Sequence, residues 1–400
     1  MSGDVLSDFV EATAAELGIP GVAVGVWSNG REIYACHGVT SVENPLPIDQ
    51  DTLFVLGSIT KTYTATALMC LVASGQVELE APVRRYIPEL KLADEGATAT
   101  ITVLHLLNHT SGLGWDLLVD TGEGDDALAQ FVAKLANLEL IAPPGARASY
   151  SQAGYSLAGR ILEKVTGTTY ERAVASLVLE PLALSHTFFA PGDVMTRRFA
   201  VGHNLGDDGT LSIARLWKGP RCRNPGADIA SSVADQLRWS RFHLGDGCSE
   251  SGVRVLPTEL LHQMREPTVE LRGSTLGDAL GIGWFLRDID GHSDRRPRWV
   301  GERSVRGAAD GTGTGLGCRC AVQRQPQWHP LQSSRRPLGA PDLRWGHRQR
   351  PGTDPVRGDA GARDPRDVRD RRHDPPHHKR RNGTKARSRN QAGDPCGIRD

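Results

Sequence analysis

In the run FVLGSITKTYTATALM, a serine at 58 is followed three residues later by a lysine at 61, with apolar residues on both sides. A serine hydroxyl is a poor nucleophile at its own pKa and acts only when a base takes its proton. Positions i and i+3 of a helix share a face, so Ser58 and Lys61 project together. At a helix start the serine also meets the positive end of the helix dipole, which favours developing negative charge. Lys61 can accept a proton only if it is desolvated or lies near other positive charge. Leu53, Phe54, Val55, Leu56, Ile59 and Ala65 supply apolar surroundings. A Ser-x-x-Lys pair alone is a weak signal, since about one match arises by chance in a chain of this length. Tyr150, in ARASYSQAGYSLAGRILEK, is the third candidate. A phenol beside a cationic lysine has its pKa lowered and can pass protons. The structural alternative is a tyrosine packed at a helix entrance.

The elements that must position these groups are readable from periodicity. Residues 4–17 have helical spacing and stop at Gly18-Ile19-Pro20. GVAVGVWSNGREIYACHGV is two β-rich runs joined by Asn29-Gly30, a strong hairpin signal. The Ser58 helix runs on through Leu71 to Ser74-Gly75, and ITVLHLLNHTSGL (101–113) predicts a short helix entering a polar loop. Tyr155, Leu157, Ala158, Ile161, Leu162 and Val165 mark one side of an amphipathic helix after Tyr150. Further helices are predicted over 169–179 and after Ser232 as N-cap, and GIGWFLRDIDG (281–291) reads as a strand entering a turn. Strands at both ends with helices between predict an α/β (α+β) fold. Its antiparallel sheet is built from both chain ends, with a mostly helical insertion over about 75–225.

Composition divides the 400 residues near position 300. Residues 1–300 carry 25 Lys+Arg against 36 Asp+Glu, a net of −11, whereas residues 301–400 carry 22 against 11, a net of +11. The last hundred contain nine Leu, Ile, Val or Phe and no Tyr, too little apolar surface to offset the entropy of ordering. The expected organisation is a globular domain over 1–300 and an Arg/Pro/Gly-rich tail over 301–400. Such a tail is either disordered or a GC-rich coding sequence read out of frame.

Several segments in order carry a resemblance to a known family. FVLGSITKTYTA, ITVLHLLNHTSGL, YSQAGYSLAGRILEKVTG, PGADIASSVADQLRW and GIGWFLRD together resemble the serine β-lactamase and penicillin-binding-protein superfamily. The resemblance is to its branch of class C β-lactamase-like esterases and D-aminopeptidases, of the family VIII carboxylesterase type. The resemblance spans about residues 8–300. It implies that Ser58 is acylated, that Lys61 and Tyr150 shuttle its proton, and that the Ser58 N–H forms half of an oxyanion hole. Two departures stand out. The family's Tyr-x-Asn reads Tyr150-Ser151-Gln152, so Gln152 takes the substrate-supporting place with one extra methylene. That change should disturb a bound amide more than an ester. The third motif, expected after GIGWFLRDIDG, is replaced by RWVGERSVRGAADGTGTG, in which only Val300-Gly301 suits its entry.

Other signals are weaker. His105 and His109 have i, i+4 spacing but no intervening Glu of the His-Glu-x-x-His type, so a structural role is expected and no metal. GTGTGLG lacks Gly-x-Gly-x-x-Gly spacing, so no phosphate-bearing cofactor is expected. The basic tail is almost without aromatics and its Asp residues are interspersed, which argues against nucleic acid. Seven scattered cysteines, no apolar run of membrane length and no basic-then-apolar start lead to the expectation of a cytoplasmic protein without membrane association. The expected reaction is cleavage of a short-chain carboxylic ester. The alternatives are a β-lactamase or D-amino-acid peptidase on the same scaffold, and a non-catalytic binding protein of this fold. Oligomeric state is left open.

Overall fold

The computed structural model describes residues 3–287, except 115, 116, 118, 207, 215–217 and 275, together with a strand at 317–322. The expected third motif and nearly all of the predicted tail lie outside these residues.

Helix α1 (Gly3–Glu16) leads into strands β1 (Gly21–Ser28) and β2 (Arg31–Gly38), paired antiparallel from Gly21↔Gly38 to Ser28↔Arg31. Asn29 and Gly30, at φ 51° and 75°, make the tight turn that the Asn-Gly pair predicts. Strand β1 is buried on both faces. Val22, Val24 and Val26 pack with Leu6, Val10 and Ala14 of α1. On its other side Ala23 packs with Val233 of α7 (Val233–Leu244) and with Ile48 and Phe54. A strand sandwiched in this way reads as a continuous apolar run. Strand β3 (Gly317–Val322) completes the sheet in the order β3-β1-β2, antiparallel to β1 from Val22↔Val322 to Trp27↔Gly317. The sheet is thus built from both ends of the described chain, and β3 falls beyond position 300.

The middle of the chain is helical. Helix α2 (Thr60–Ala73) buries every residue from Thr60 to Met69, a helix with no solvent face over that stretch. It packs in one core with α3 (Val103–Leu107), α4 (Ala127–Lys134), α5 (Gln152–Thr166) and α6 (Tyr170–Val174). The helix predicted over 169–179 is α6 continued by a wider turn through Ala175–Leu179. As predicted, Ser232 caps α7, its Oγ accepting from Asp235 N–H at 3.2 Å.

Two local expectations are corrected. The stretch 281–287 is not one strand. Ala279–Leu280 and Phe285–Leu286 pair antiparallel across a turn closed by Gly281 N–H to Trp284 O at 2.9 Å. Gly283 reverses the chain at φ 79°, pressed so close to α2 that a methyl there would lie 2.6 Å from Ala65 Cβ. The short helix predicted in ITVLHLLNHTSGL is present and ends at Leu107 in a polar loop, but the His105–His109 pair is not carried on it, since His109 sits in left-handed backbone at φ 61°. His105 and His109 therefore do not share a helical face.

Among the described residues no helix is long and apolar enough to cross a membrane.

Candidate active site

Ser58 lies in a one-turn 3-10 helix, Gly57–Ile59, immediately before α2. Its N–H is one of the donors that a helix start leaves without an intrahelical acceptor. The segment is tied down on both sides of the serine. Leu56 N–H donates to Ile229 O at 2.9 Å, Thr60 Oγ1 donates to Gly57 O at 2.6 Å, and Ile229 N–H donates to Thr60 Oγ1 at 3.2 Å. Ser58 itself is half-buried, and among the described residues no hydrogen bond engages its hydroxyl. The serine is held by its neighbours while its Oγ stays uncommitted.

Lys61 is fully buried in the first turn of α2. Its Nζ donates to Gly226 O at 2.7 Å and to Gln152 Oε1 at 3.1 Å. It also lies 4.7 Å from the Tyr150 ring centroid and 5.3 Å from that of Tyr155. Burial pushes its pKa down to about 7, with help from the Arg223 guanidinium and against the pull of the Asp228 carboxylate. A neutral amine has two N–H donors and one lone pair, and this site offers two acceptors. The arrangement suits the lysine a proton acceptor requires.

Tyr150 is half-buried just before α5, where Ser151 is the N-cap and accepts from Gly154 N–H at 3.1 Å. Its ring packs against His109 (centroids 4.5 Å apart) and Phe285 (6.0 Å). Gln152, the first residue of α5, has both ends of its amide engaged: Oε1 accepts from Lys61 and Nε2 donates to Arg223 O at 3.0 Å. Ser58, Lys61, Tyr150 and Gln152, separated by up to 94 positions in sequence, thus gather at the N-termini of α2 and α5.

Residues outside the motifs complete the site. The loop 221–228 offers a row of carbonyls: Cys222 O accepts from Ser156, Arg223 O from Gln152, Pro225 O from Thr64 and Gly226 O from Lys61. Glu171 anchors the loop, accepting from Arg221 and from Asn224 Nδ2 at 2.7 Å. The absence of a side chain at Gly226 leaves room for the Gln152 amide, since a methyl there would lie 2.3 Å from Gln152 Nε2 and 2.4 Å from its Oε1. His109, expected to be structural, borders the site. Its Nδ1 accepts from Ser151 N–H at 3.1 Å, so it fixes the backbone beside Tyr150. Burial, reinforced by the Lys61 charge, holds His109 well below the ordinary histidine pKa and keeps the ring neutral. His105 instead accepts from Thr102 N–H at 3.3 Å in a capping box. The sequence signals for these groups were slight. Only the Gly in PGAD and the polar run after LHLL hinted at special backbone.

Comparison with known proteins gives the family. Residues 6–319 match the Beta-lactamase family model. The chain is 34% identical over 285 residues to Penicillin-binding protein 4 of Amycolatopsis lactamdurans, covering 70% of this chain and 74% of that one. It is 35% identical over 300 residues to Esterase EstB of Burkholderia gladioli, covering 68% and 76%. Among solved structures, the octameric penicillin-binding protein homologue from Pyrococcus abyssi superposes with TM-score 0.62 at 26% identity. That match covers 72% of this chain and 65% of the homologue, just under two thirds of its length. The class C beta lactamase from Rhodobacter sphaeroides gives TM-score 0.58 at 26% identity, covering 72% and 76%.

Proposed function

The chain belongs to the beta-lactamase family, and from that premise we propose that it is a serine hydrolase that cleaves short-chain carboxylic esters through a Ser58 acyl-enzyme. The observation that carries the reading is Lys61, buried, bonded to two acceptors and with its pKa pushed down to about 7. The neutral amine uses both N–H groups on Gly226 O and Gln152 Oε1 and keeps a lone pair for the Ser58 proton.

Ser58 Oγ attacks the ester carbonyl as its proton passes to Lys61, with Tyr150 as the relay. The resulting oxyanion is stabilised by the Ser58 N–H. The intermediate collapses with cleavage of the C–O bond, and the proton leaves with the alcohol. Water then attacks the acyl-enzyme, giving its proton to the same pair, and the carboxylic acid is released with Ser58 restored. No cofactor enters these steps.

Two observations favour an ester over an amide. Gln152 already commits one acceptor position to Lys61 and one N–H to Arg223 O, which ties its amide to the protein and restricts how it can turn to a substrate amide. Esterase EstB is also among the relatives. A β-lactamase or D-amino-acid peptidase activity is the second reading, favoured by the similarity to Penicillin-binding protein 4 and to the Beta-lactamase of Escherichia coli K12. A panel of p-nitrophenyl butyrate, nitrocefin and D-alanyl-p-nitroanilide separates the two. The proposal expects Ser58-dependent turnover of the ester and slow or no turnover of the others. Preference for nitrocefin or the anilide would replace it with the second reading. Absence of all turnover and of any Ser58 adduct would leave a binding protein of this fold.

A further inference from the structure

We propose that Asp228 is a charge-setting residue of the Ser58–Lys61 site, a positioning residue whose carboxylate, opposed by the Arg223 guanidinium, fixes how readily Lys61 holds a proton. The inference rests on the reading of Lys61 as the proton acceptor, and its test is arranged so that the two can fail separately.

The geometry begins with the loop 221–228. Its Gly226 O accepts from Lys61 Nζ at 2.7 Å, which puts Asp228 two residues from a direct contact to the lysine. The side chains of Arg223 and Asp228 converge on Gly219. A methyl built there would lie 2.7 Å from Arg223 Nη1 and 2.9 Å from Asp228 Oδ2. Asp228 is only 8% exposed, and its Oδ2 has no hydrogen-bond partner among the described residues. Its backbone sits at φ 75°, in the left-handed region that glycine adopts most easily and aspartate or asparagine next.

The position therefore carries a buried charge, one oxygen of which lacks a well-formed hydrogen bond, on left-handed backbone that suits glycine best. Glycine would remove the charge and ease the backbone, and asparagine would remove the charge alone. A buried acid on the loop that also holds Lys61 is the arrangement expected when a site, not the packing, requires the group.

Among the described residues the charges facing Lys61 are few. Loop 221–228 contributes Arg223 and Asp228. The segments around α3 and α5 contribute His109, Tyr150, Tyr155 and the neutral Gln152. Among these, Asp228 is the sole carboxylate. Asp228 in turn faces Arg223, Lys218, the Gly219 backbone and Lys61; burial pushes its pKa up, and these four groups pull it down. Burial and Arg223 together drive Lys61 towards the neutral form, and Asp228 works against them. A lysine that lost its proton too easily would be too weak a base to carry the Ser58 proton through the tetrahedral intermediate. Asp228 keeps it basic enough to do so.

The test uses the full chain carrying Asp228→Asn, Asp228→Gly or Arg223→Met. Lys61 is titrated directly by NMR of protein made with Cε- and Nζ-labelled lysine, and its signal is assigned with Lys61→Met. The pH dependence of kcat/KM on p-nitrophenyl butyrate is measured beside it. Both Asp228 variants should move the Lys61 midpoint to lower pH by on the order of one unit, and Arg223→Met should move it upward. Thermal stability of Asp228→Gly should equal or exceed that of the parent. If Asp228→Gly fails to fold, Asp228→Asn decides alone. A Lys61 midpoint unmoved in a folded Asp228 variant overturns the proposal. A midpoint that moves while the acid limb of kcat/KM stays put upholds the role of Asp228 and removes Lys61 from the role of base.

Discussion

Replacing Gly226 by alanine should disable the site through a residue that touches no substrate. The added methyl would lie 2.3 Å from Gln152 Nε2, 2.4 Å from Oε1 and 2.6 Å from Cδ, inside any tolerable contact. The obstructing atoms are the far end of a flexible side chain, so Gln152 can swing away and the backbone can stay. The loss is then the two hydrogen bonds of that amide, Lys61 Nζ to Oε1 and Nε2 to Arg223 O. At about 0.5–1.5 kcal/mol each they amount to roughly 1–3 kcal/mol of stability. Lys61 also loses one of its two acceptors, so kcat/KM should fall by about tenfold or more. Because the methyl acts by displacing Gln152, Gly226→Ala and Gln152→Ala remove the same interaction. A double-mutant cycle read by urea unfolding and by p-nitrophenyl butyrate kinetics should therefore be strongly non-additive, the double variant resembling either single one. Additive effects, or a Gly226→Ala protein as active as the parent, would refute the displacement argument.

Three further outcomes follow from the same contacts. Acylation should show an acid limb near pH 7, rising with pH as Lys61 loses its proton at about 7; a flat profile from pH 5 to 8 would contradict it. The folded pKa of Lys61 is depressed from 10.5 to about 7, so between these values the unfolded chain binds more protons. Stability relative to Lys61→Met should consequently increase with pH across that window, measured by denaturant unfolding at pH 7 and pH 9. His109→Asn, which tolerates the left-handed backbone, should lower kcat/KM by about tenfold by freeing Ser151 N–H and the Tyr150 ring. A fully active His109→Asn protein would return that residue to a structural role.

Much of this architecture was legible because local and long-range signals agreed. The Asn29-Gly30 hairpin, the Ser232 cap and the amphipathic face of α5 each follow from residue type and spacing. Ser58 and Lys61 were visible as an i, i+3 pair with apolar neighbours, although the threonines at 60, 62, 64 and 66 gave no sign that the whole turn would be buried. The misread parts have a common cause. GIGWFLRD alternates like a strand, but Gly281 and Gly283 permit a reversal that periodicity alone does not reveal. LHLLNH continues at helical spacing, but His109 leaves the helix through a backbone angle that no pattern encodes. Arg223, Gly226 and Asp228 reach the site through carbonyl positions and loop curvature, and side-chain type says little about either. Gln152, read as a substrate-supporting residue, also holds Lys61 and the Arg223 carbonyl, contacts that its residue type did not announce.

If Ser58 is the nucleophile and neutral Lys61 activates it, a fluorophosphonate should mark the serine in a pH-dependent way. Peptide mapping by mass spectrometry after treatment at a series of pH values should find one adduct, on Ser58, forming faster as pH rises through about 7 and forming slowly at every pH in Lys61→Met. An adduct on another residue, or Ser58 labelling at an undiminished rate without the lysine, would contradict it.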